Sequence, residues 1–333
     1  MFKFKPSVPL TIGLELELQL LNSKSLNLTN KILSIMELFP DSESVIPEFI
    51  QNTVELRSKI CTDIEELRLN LISIVKDLRS KSKDLGIKLC GSGTHPFSRH
   101  LGILTPLPRY LELEETAGLI SHTQITFATH VHIGMTTGDE AISVMRKLSA
   151  FIPFLISLSA NSPFWRGYNT GFASYRHRIL DSSRSYGLPP LFDNWQDFET
   201  FFKTAKRSGV FQSINDIHWD IRPRPHLGTL EIRVMDAQSS VTDAVTLANL
   251  IRLLVKYLID TPDQAIQANL PHELPWWIAK ENRFQASRLA IDSKFIKDET
   301  GSYRTINKVF QDVYKNIKPY VEDSNEALYL QKL

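Results

Sequence analysis

Acidic and imidazole side chains recur at alternate positions in short, otherwise apolar segments of this sequence. Glu15 and Glu17 are separated by one residue, and so are His130 and His132. Because successive side chains of a β-strand point to opposite faces of a sheet, the two members of each pair share a face. Four such segments carry, in order, Glu15 and Glu17; Thr53, Glu55 and Arg57; His130 and His132; and Glu231 and Arg233. In a single sheet, these strands would form one patch of carboxylates and imidazoles.

A patch of this kind is typical of a metal site. Carboxylates on neighbouring strands repel one another by some tenths of a kcal/mol per pair, so a cluster of them normally implies a bound cation. A single Glu-x-Glu is more often a solvated strand face, and a lone His-x-His is often structural, but repetition in four segments favours the metal. Ligands that are mostly oxygen suit Mg²⁺ or Mn²⁺ better than zinc. Such ions commonly bridge the phosphates of a nucleotide.

The glycine-rich nucleotide motifs are missing from the sequence. Residues 91–94 are Gly-Ser-Gly-Thr, and His95 and Pro96 follow where a dinucleotide-binding fingerprint needs its helix-opening glycine. The P-loop pattern does not occur either. A nucleotide would therefore be held by another arrangement.

The composition is that of a globular protein with one large core or two modest ones. Of 333 residues, 42% are hydrophobic and 23% are charged, which excludes disorder, collagen and a disulfide scaffold. The 38 basic and 37 acidic residues leave a net charge of +1, so no bulk attraction draws the chain to nucleic acid or to an anionic membrane. Cys61 and Cys90 are too few for a disulfide framework, which favours a reducing compartment.

The sequence predicts a cytoplasmic protein without a membrane span. No apolar run of signal-peptide character follows the N-terminus. The most apolar window, residues 148–160, contains Pro153 and is only about a dozen residues long, whereas a bilayer needs roughly 20 residues. We therefore expect neither a membrane nor a nucleic acid among the partners.

Strand and helix patterns alternate along the chain and carry the candidate residues. Strand patterns cover residues 10–20, 53–59, 87–90, 126–135 and 228–236. Helix patterns cover the stretch after a capping box at residues 62–65, then 139–160 with a kink at Pro153, 195–206, 241–259, 281–296 and 303–320, and a long loop covers 161–195. The clean alternation predicts an α+β fold with an antiparallel or mixed sheet that has one solvent-accessible face. Because no repeat or Gly/Ser linker interrupts the chain, we expect a single domain over residues 1–333.

Several ordered sequence blocks carry a resemblance to a known enzyme family. The blocks are GLELE at 13–17, VE at 54–55 followed by CTD at 61–63, GTHPF at 93–97, HVHIG at 130–134, SANSPFW at 159–165, GFASYR at 171–176, WDIRPRP at 219–225, GTLEIR at 228–233 and ENR at 281–283. With these blocks in this order, the chain resembles the bacterial carboxylate-amine ligases, the type 2 glutamate-cysteine ligases. The resemblance runs from about Thr11 to Asp292.

The resemblance implies a glutamine synthetase-like α+β fold, in which an antiparallel sheet forms a funnel and helices pack on its outer face. It also implies ATP-dependent joining of a carboxylate to an amine through an acyl-phosphate, with ATP and Mg²⁺ (or Mn²⁺) as cofactors. Glutamate is the implied acid and cysteine the default amine. The metal ligands implied by position are Glu15, Glu17, Glu48, Glu55, His132 and Glu231.

The resemblance also assigns roles to three arginines. Arg233 resembles the arginine that stabilises the transferring phosphoryl group, and Arg176 and Arg222 are placed with the substrate. Arg176 and Arg222 could instead anchor loops through main-chain carbonyls, and His130 is expected to support the ligands rather than bind the metal. Family members commonly have an acidic residue at the position of Leu16, but that position points to the opposite face of the strand, so the ligand geometry is retained.

Two other interpretations stay open from sequence. A metal-dependent hydrolase would use His130 and His132 with the carboxylates to activate water, without ATP. A degenerate ligase fold would bind a nucleotide or a protein partner, with the motif-poor residues 293–333 as the interaction surface. The clustered carboxylates argue against degeneration, because a non-catalytic sheet is more stable without them. The apolar helices are compatible with a homodimer, whose interface the sequence does not assign.

Overall fold

The structure, a computed structural model, describes residues 3–262 and 270–333. Its strands are β1 (Ile12–Asn22), β2 (Val45–Pro47), β3 (Thr53–Arg57), β4 (Ile87–Cys90), β5 (Ala128–Gly134), β6 (Phe164–Trp165), β7 (Tyr168–Asn169), β8 (Ile221–Arg224), β9 (Thr229–Asp236), β10 (Lys294–Ile296) and β11 (Tyr303–Thr305). The large sheet has the order β2-β3-β1-β5-β9-β8, with β4 also beside β1, and its pairings are antiparallel. The predicted antiparallel sheet is thus confirmed.

Helices surround this sheet. They are α1 (Ile32–Leu38), α2 (Ile64–Lys81), α3 (Pro108–Ala117), α4 (Leu119–Thr123), α5 (Gly138–Ser149), α6 (Ile152–Ser159), α7 (Arg176–Leu180), α8 (Trp195–Arg207), α9 (Val241–Asp260), α10 (Trp276–Leu289), α11 (Ile306–Ile317) and α12 (Ser324–Leu330). Among them, α2, α5, α6 and α9 pack against the strands of the sheet. The helix α9 is buried along most of its length and packs against α2, α5 and α12. Together with the antiparallel sheet, they make the predicted α+β class.

The alternation of β1 separates the hydrophobic core from the polar face. Leu14 and Leu16 lie in the core, and Glu15 and Glu17 lie on the other side of the strand. Because pairing is antiparallel, each polar residue of β1 has a fixed neighbour on the next strand. The registers that bring polar residues together pair Glu17 with Glu55, Glu15 with His130, His132 with Glu231, and Arg222 with Glu231.

The start of α2 shows how local sequence sets an element boundary. Asp63 is the N-cap, and its carboxylate accepts a hydrogen bond from the Glu66 main-chain N at 2.8 Å. In return, Glu66 Oε2 accepts a hydrogen bond from the main-chain N of Thr62 at 2.9 Å. The helix start predicted at residues 62–65 is thus confirmed to within one residue, but the predicted capping box is wrong: the N-cap is Asp63, and Glu66 accepts from the residue before it.

The helix predicted over residues 139–160 is divided into α5 and α6. Their axes differ by 66°, and Pro153 lies in the first turn of α6, where its missing N–H costs nothing. The predicted break is confirmed. Within the described residues, no single helix is both long and apolar enough to cross a membrane, and α5 with α6 meets that criterion only as a bent pair.

A large cluster of buried apolar residues links distant parts of the chain. It includes Ile12 of β1, Phe154 of α6, Leu254 of α9 and Leu330 of α12. A second, small cluster contains Phe127 and two neighbours. The expectation of one domain over residues 1–333 stays a prediction.

Several details of the sequence prediction are wrong. Residues 161–195, predicted as a loop, contain the β6–β7 hairpin and α7. The helix predicted over 281–296 begins at Trp276 and ends at Leu289, and β10 follows it. The polar face of the sheet is mostly buried rather than openly exposed: Glu17, Glu55 and Glu231 are buried, whereas the Arg57 side chain is 47% exposed. The elements missed altogether include α1, α3, α4, α12, β2 and β8. All are short except α3, which has no buried residue to set a period.

Candidate active site

A cavity of about 1080 Å³ lies over the polar face of the sheet. Its floor is formed by β1, β3, β5 and β9, and α3, α10 and the segments around Tyr186 and His218 form other walls. His132 contacts Glu15 at the edge of this floor, with Nε2 3.5 Å from Oε1. The other predicted site residues line the cavity directly: Glu15, Glu17, Glu48, Glu55, Glu231, Arg176, Arg222 and Arg233.

Glu15, His132 and Glu231 form the first of two candidate ligand clusters. One ligand atom from each lies within 4.8 Å of the other two. His132 Nδ1 is 3.1 Å from Thr229 Oγ1, which orients the ring, and its buried Nε2 has no hydrogen-bond partner among the described residues. A ring nitrogen held in this way beside two carboxylates is placed to bind a cation.

Glu17, Glu48 and Glu55 form the second cluster, and their ligand atoms also lie within 4.8 Å of one another. Glu17 and Glu55 are cross-strand neighbours in β1 and β3, whereas Glu48 directly follows β2. The main-chain N of Ala128 donates to Glu17 Oε2 at 2.7 Å, and the Tyr110 hydroxyl donates to Glu48 Oε2 at 3.0 Å. These bonds fix the direction of Glu17 and Glu48, and Arg57 Nε fixes Glu55 by donating to its Oε1 at 2.5 Å.

His130 lies between the two clusters. Its Nδ1 is 3.2 Å from Glu15 Oε2, and its Nε2 is 3.7 Å from Glu17 Oε1. Burial, followed by the charge of Arg233, lowers the pKa of His130 to about 3, so the ring is neutral. A neutral ring between two carboxylates fits the supporting role expected from sequence.

The second cluster has less positive charge than three buried carboxylates need: Arg57 Nε donates to Glu55 Oε1 at 2.5 Å, and no other cation is in direct contact with the three carboxylates within the described residues. Burial, followed by repulsion from Glu48, raises the pKa of Glu17 to about 8. Burial and then repulsion from Glu15 and Glu48 raise the pKa of Glu55 well above its ordinary value, and burial raises the pKa of Glu48. A divalent cation would supply the missing charge, and oxygen ligands suit Mg²⁺. The donor set therefore fits the metal that the sequence implies.

An arginine cluster is built around Glu231. Arg222 Nε donates to Glu231 Oε2 at 2.7 Å and Arg222 Nη2 donates to Oε1 at 3.2 Å, while Arg233 Nη1 also donates to Oε1. Arg224 Nε lies 3.6 Å from Glu231 Oε2. Burial opposes ionisation, but Arg222 and Arg233 hold the pKa of Glu231 well below its ordinary value. The carboxylate stays ionised and fixes the guanidinium groups at the cavity wall.

Both arginines assigned to the substrate are also bonded within the protein. Arg176 Nη2 donates to the carbonyl of Arg233 at 3.1 Å, and Nη1 donates to the carbonyl of Val234 at 3.4 Å. Arg222 donates to the carbonyl of Ile217. These bonds are the ones expected of anchoring arginines, but Arg176 Nε is buried without a partner among the described residues. Substrate binding by Arg176 and Arg222 stays a prediction.

Four residues that line the cavity were not identified from sequence. Tyr110 lies on α3, and Tyr186 stacks on His218 with ring centroids 5.2 Å apart. All three lie outside periodic strand patterns, so no local signal pointed to them. Arg224 is different, because it lies two residues after Arg222 on β8 and that spacing could have predicted it.

Comparison with known proteins decides the family. The model described as "Glutamate-cysteine ligase family 2(GCS2)" matches residues 11–333. The chain belongs to glutamate-cysteine ligase family 2. A protein from Trichormus variabilis named "Putative glutamate--cysteine ligase 2" is 40% identical to this chain over 331 residues. The match covers 99% of this chain and 86% of that protein. The family resemblance predicted from the sequence blocks is confirmed.

Solved structures share the fold of this glutamate-cysteine ligase family member. A bifunctional glutathione synthetase from Pasteurella multocida has a TM-score of 0.69 at 11% identity; the match covers 97% of this chain and 47% of that chain, so this chain spans about half its length. A glutamate-cysteine ligase from Francisella tularensis in complex with AMP has a TM-score of 0.67 at 13% identity. This match covers 99% of this chain and 82% of that chain. At these identities the likeness shows the fold alone, and it confirms the predicted α+β fold with an antiparallel sheet.

Family membership also separates two of the interpretations left open by the sequence. The family is one of glutamate-cysteine ligases, which are ATP-dependent carboxylate-amine ligases. The ligase interpretation is therefore supported over a hydrolase that would use His130 and His132.

Proposed function

We propose that this family member joins glutamate to an amine, with cysteine as the first candidate, in an ATP-dependent reaction. The observation that carries the proposal is the presence of two ligand clusters on one face of the sheet, beside buried arginines and inside one cavity. Such a combination suits a triphosphate together with the cations that accompany it. Membership of the family supports the same class of reaction.

The six predicted ligands would hold the metal in two places. When bound, Mg²⁺, or Mn²⁺ in its place, neutralises charge on the nucleotide phosphates, so that a carboxylate can approach the γ-phosphorus. The unpartnered Nε2 of His132 and the raised carboxyl pKa values support this assignment. The proposed sites are Glu15, His132 and Glu231 for one ion, and Glu17, Glu48 and Glu55 for another.

The arginines would bind and orient the reacting groups. Arg233 is held by Glu231 and keeps a buried Nε without a partner in the described chain, which places it to stabilise charge on the transferring phosphoryl group. Arg222 holds Glu231 in position through two hydrogen bonds. Arg176 would bind the glutamate carboxylate through its unpartnered Nε. The amine would then attack the resulting acyl-phosphate.

The test is phosphate release from Mg-ATP with glutamate, scanned across a panel of amines that includes cysteine. We expect amine-dependent release that is lost in Glu55→Gln. Glu112→Gln is the matched control, because Glu112 lines the same cavity but is exposed and belongs to neither cluster. Full activity in Glu55→Gln, or an equal loss in Glu112→Gln, would contradict the proposed site.

The same experiment tests the degenerate-fold interpretation. If ATP binds but no acid and amine cause phosphate release, the protein is a nucleotide-binding relative rather than a ligase. The single domain, the homodimer and the cytoplasmic location keep the status of predictions. Light scattering of the purified protein would measure the oligomeric state directly.

A further inference from the structure

The proposed reaction needs a proton acceptor that the ligand clusters do not provide. An amine substrate is an ammonium ion at neutral pH and has no lone pair until it loses a proton. The carboxylates of both clusters are assigned to cations. The acceptor must therefore be another group that lines the cavity; this inference rests on the proposed ligase function.

A serine-histidine pair lines the cavity away from both clusters. Ser185 Oγ and His218 Nδ1 are 3.0 Å apart, and the His218 ring stacks on Tyr186 with an interplanar angle of 16°. His218 Nε2 makes no hydrogen bond within the described residues, and it is not among the buried atoms left without a partner. Stacking on Tyr186 holds one face of the ring and Ser185 holds Nδ1, whereas Nε2 is open to the cavity.

The other acidic groups around the cavity are committed or remote. Asp181 is bonded to Arg283 through both carboxylate oxygens, at 2.9 and 3.2 Å. Asp216 Oδ2 accepts two main-chain N–H groups at 2.8 Å each. Glu112 is exposed on α3. None of these carboxylates combines burial in the cavity with a free oxygen directed to a substrate.

The remaining titratable groups are not placed to accept the proton. Lys280 is exposed at the cavity wall, with its Nζ 4.8 Å from the centroid of the Trp276 ring. Burial raises the pKa of Tyr110 and of Tyr186, so both phenols stay protonated. His130 is enclosed between Glu15 and Glu17. His218 is the one imidazole of the described residues that lines the cavity outside the ligand clusters.

The electrostatic surroundings keep the His218 ring neutral, with a free lone pair, in the protein without nucleotide. Burial, followed by the charges of Arg233, Arg222 and Arg109, lowers the pKa of His218 well below its ordinary value, and Glu231 opposes this weakly. The ring is therefore neutral in the free protein. Phosphate groups bound beside Arg233 would offset these positive charges and allow the ring to take a proton.

We propose that His218 is the general base that deprotonates the amine substrate. In this assignment, His218 Nδ1–H donates to Ser185 Oγ, which leaves the lone pair on Nε2. Nε2 takes one proton from the ammonium ion. The nitrogen lone pair then forms the C–N bond to the acyl carbon, the bond between that carbon and the phosphate oxygen breaks, and the electron pair leaves with the phosphate. A second proton goes to the departing phosphate, and the proton on His218 returns to solvent.

The experiment compares two nucleophiles in His218→Gln. Hydroxylamine is already unprotonated at neutral pH, so it traps an acyl-phosphate without a base, whereas cysteine or the best amine of the panel needs one. With Mg-ATP and glutamate, we expect kcat with the amine to fall by about 100-fold or more, because a general base contributes that much. Hydroxamate formation should be unchanged, and this retained activity also shows that the variant is folded and binds ATP.

Controls make each outcome decisive. His218→Asn repeats the test with a shorter amide, and Ser185→Ala should give a smaller loss confined to the amine, because Ser185 positions the ring. Equal losses with both nucleophiles in a folded variant, or an unchanged amine rate, would overturn the role of His218. If the unmodified protein forms neither amide nor hydroxamate, the proposed function itself is wrong, and the assignment is overturned with it.

Discussion

Glu17, Glu48 and Glu55 are held together against their mutual repulsion. Burial raises the pKa of all three, and the ligand atoms lie within 4.8 Å of one another. A sheet that served only to pack helices would be more stable with neutral residues there. The cluster is therefore evidence for a cation at the level of single residues.

The pKa of Glu17 predicts how stability changes with pH. Because burial and Glu48 raise it from 4.5 to about 8, the folded protein binds more protons than the unfolded chain within that window. The free energy of unfolding should then fall as the pH rises through the window, by on the order of 5 kcal/mol at about 1.4 kcal/mol per pKa unit. Urea unfolding in a buffer with a chelator measures this slope. Glu17→Gln should flatten it, and an identical slope in the variant would contradict the prediction.

Arg233 allows a kinetic prediction at the same scale. Arg233→Lys keeps the charge but loses the guanidinium contact with Glu231, so a group that acts on the transferring phosphoryl is displaced. We expect kcat to fall by about 100-fold or more while the KM for ATP changes far less. The matched control is Arg184→Lys, since Arg184 lines the cavity but is exposed and bonded to the carbonyl of Val210. A similar fall in both variants would exclude a specific role for Arg233.

At the scale of elements, the β8–β9 hairpin carries most of the cationic wall. Arg222 and Arg224 lie on β8, and Glu231 and Arg233 lie on β9. Gly228 in the turn between them has φ +69°, a conformation that favours glycine. The N-terminal segment packs against this turn, where Lys5 N donates to the carbonyl of Pro225 at 2.8 Å. The hairpin is thus fixed from outside the sheet.

Replacing Gly228 should therefore cost more than its backbone angle alone. A Cβ there would lie 2.1 Å from the carbonyl oxygen of Lys5, whereas Gly301, with φ +78°, has no atom within 4 Å of its Cβ position. We expect Gly301→Ala to lower the free energy of unfolding by about 1 kcal/mol and Gly228→Ala to lower it by about 2–4 kcal/mol. Urea unfolding compares the two variants. Equal effects would show that the segment near Lys5 moves away without cost.

At the scale of the whole molecule, Arg252 on α9 joins distant parts of the chain. Its Nε donates to the carbonyl of Leu10 at 2.9 Å and its Nη2 donates to the carbonyl of Thr62 at 3.0 Å. The third partner is Glu326 of α12, whose side chain is 2% exposed. This single guanidinium therefore ties β1, the start of α2 and the C-terminal helix to one another.

The pair between Arg252 and Glu326 should contribute strongly to stability. Glu326→Ala leaves a buried guanidinium without its carboxylate, and we expect a loss of about 3–5 kcal/mol. Lys256, on α9 like Arg252, pairs with Glu322. The Glu322 side chain is 60% exposed, so Glu322→Ala should cost less than about 1 kcal/mol. Thermal and urea unfolding of both variants measure the difference. If Glu326→Ala cost no more than Glu322→Ala, the buried pair between Arg252 and Glu326 would contribute little to stability.

The residues that alternate along β1, β5 and β9 were predictable, because a strand places every second side chain on one face whatever it pairs with. Glu15, Glu17, His132 and Glu231 were identified in this way, and the resemblance added Glu48. Helix starts and breaks were also largely local: the start of α2 was predicted to within one residue of its N-cap Asp63, and the break between α5 and α6 was predicted from Pro153, which lies in the first turn of α6.

Only the tertiary structure decided which of these groups meet. Cross-strand register joins Glu17 to Glu55 and His132 to Glu231, and register depends on pairing between segments far apart in sequence. The cavity wall around His218 comes from loops, whose positions follow from what they pack against rather than from any period. Local sequence therefore determined the chemical groups on each strand, whereas long-range packing determined that they form two clusters, buried and short of positive charge.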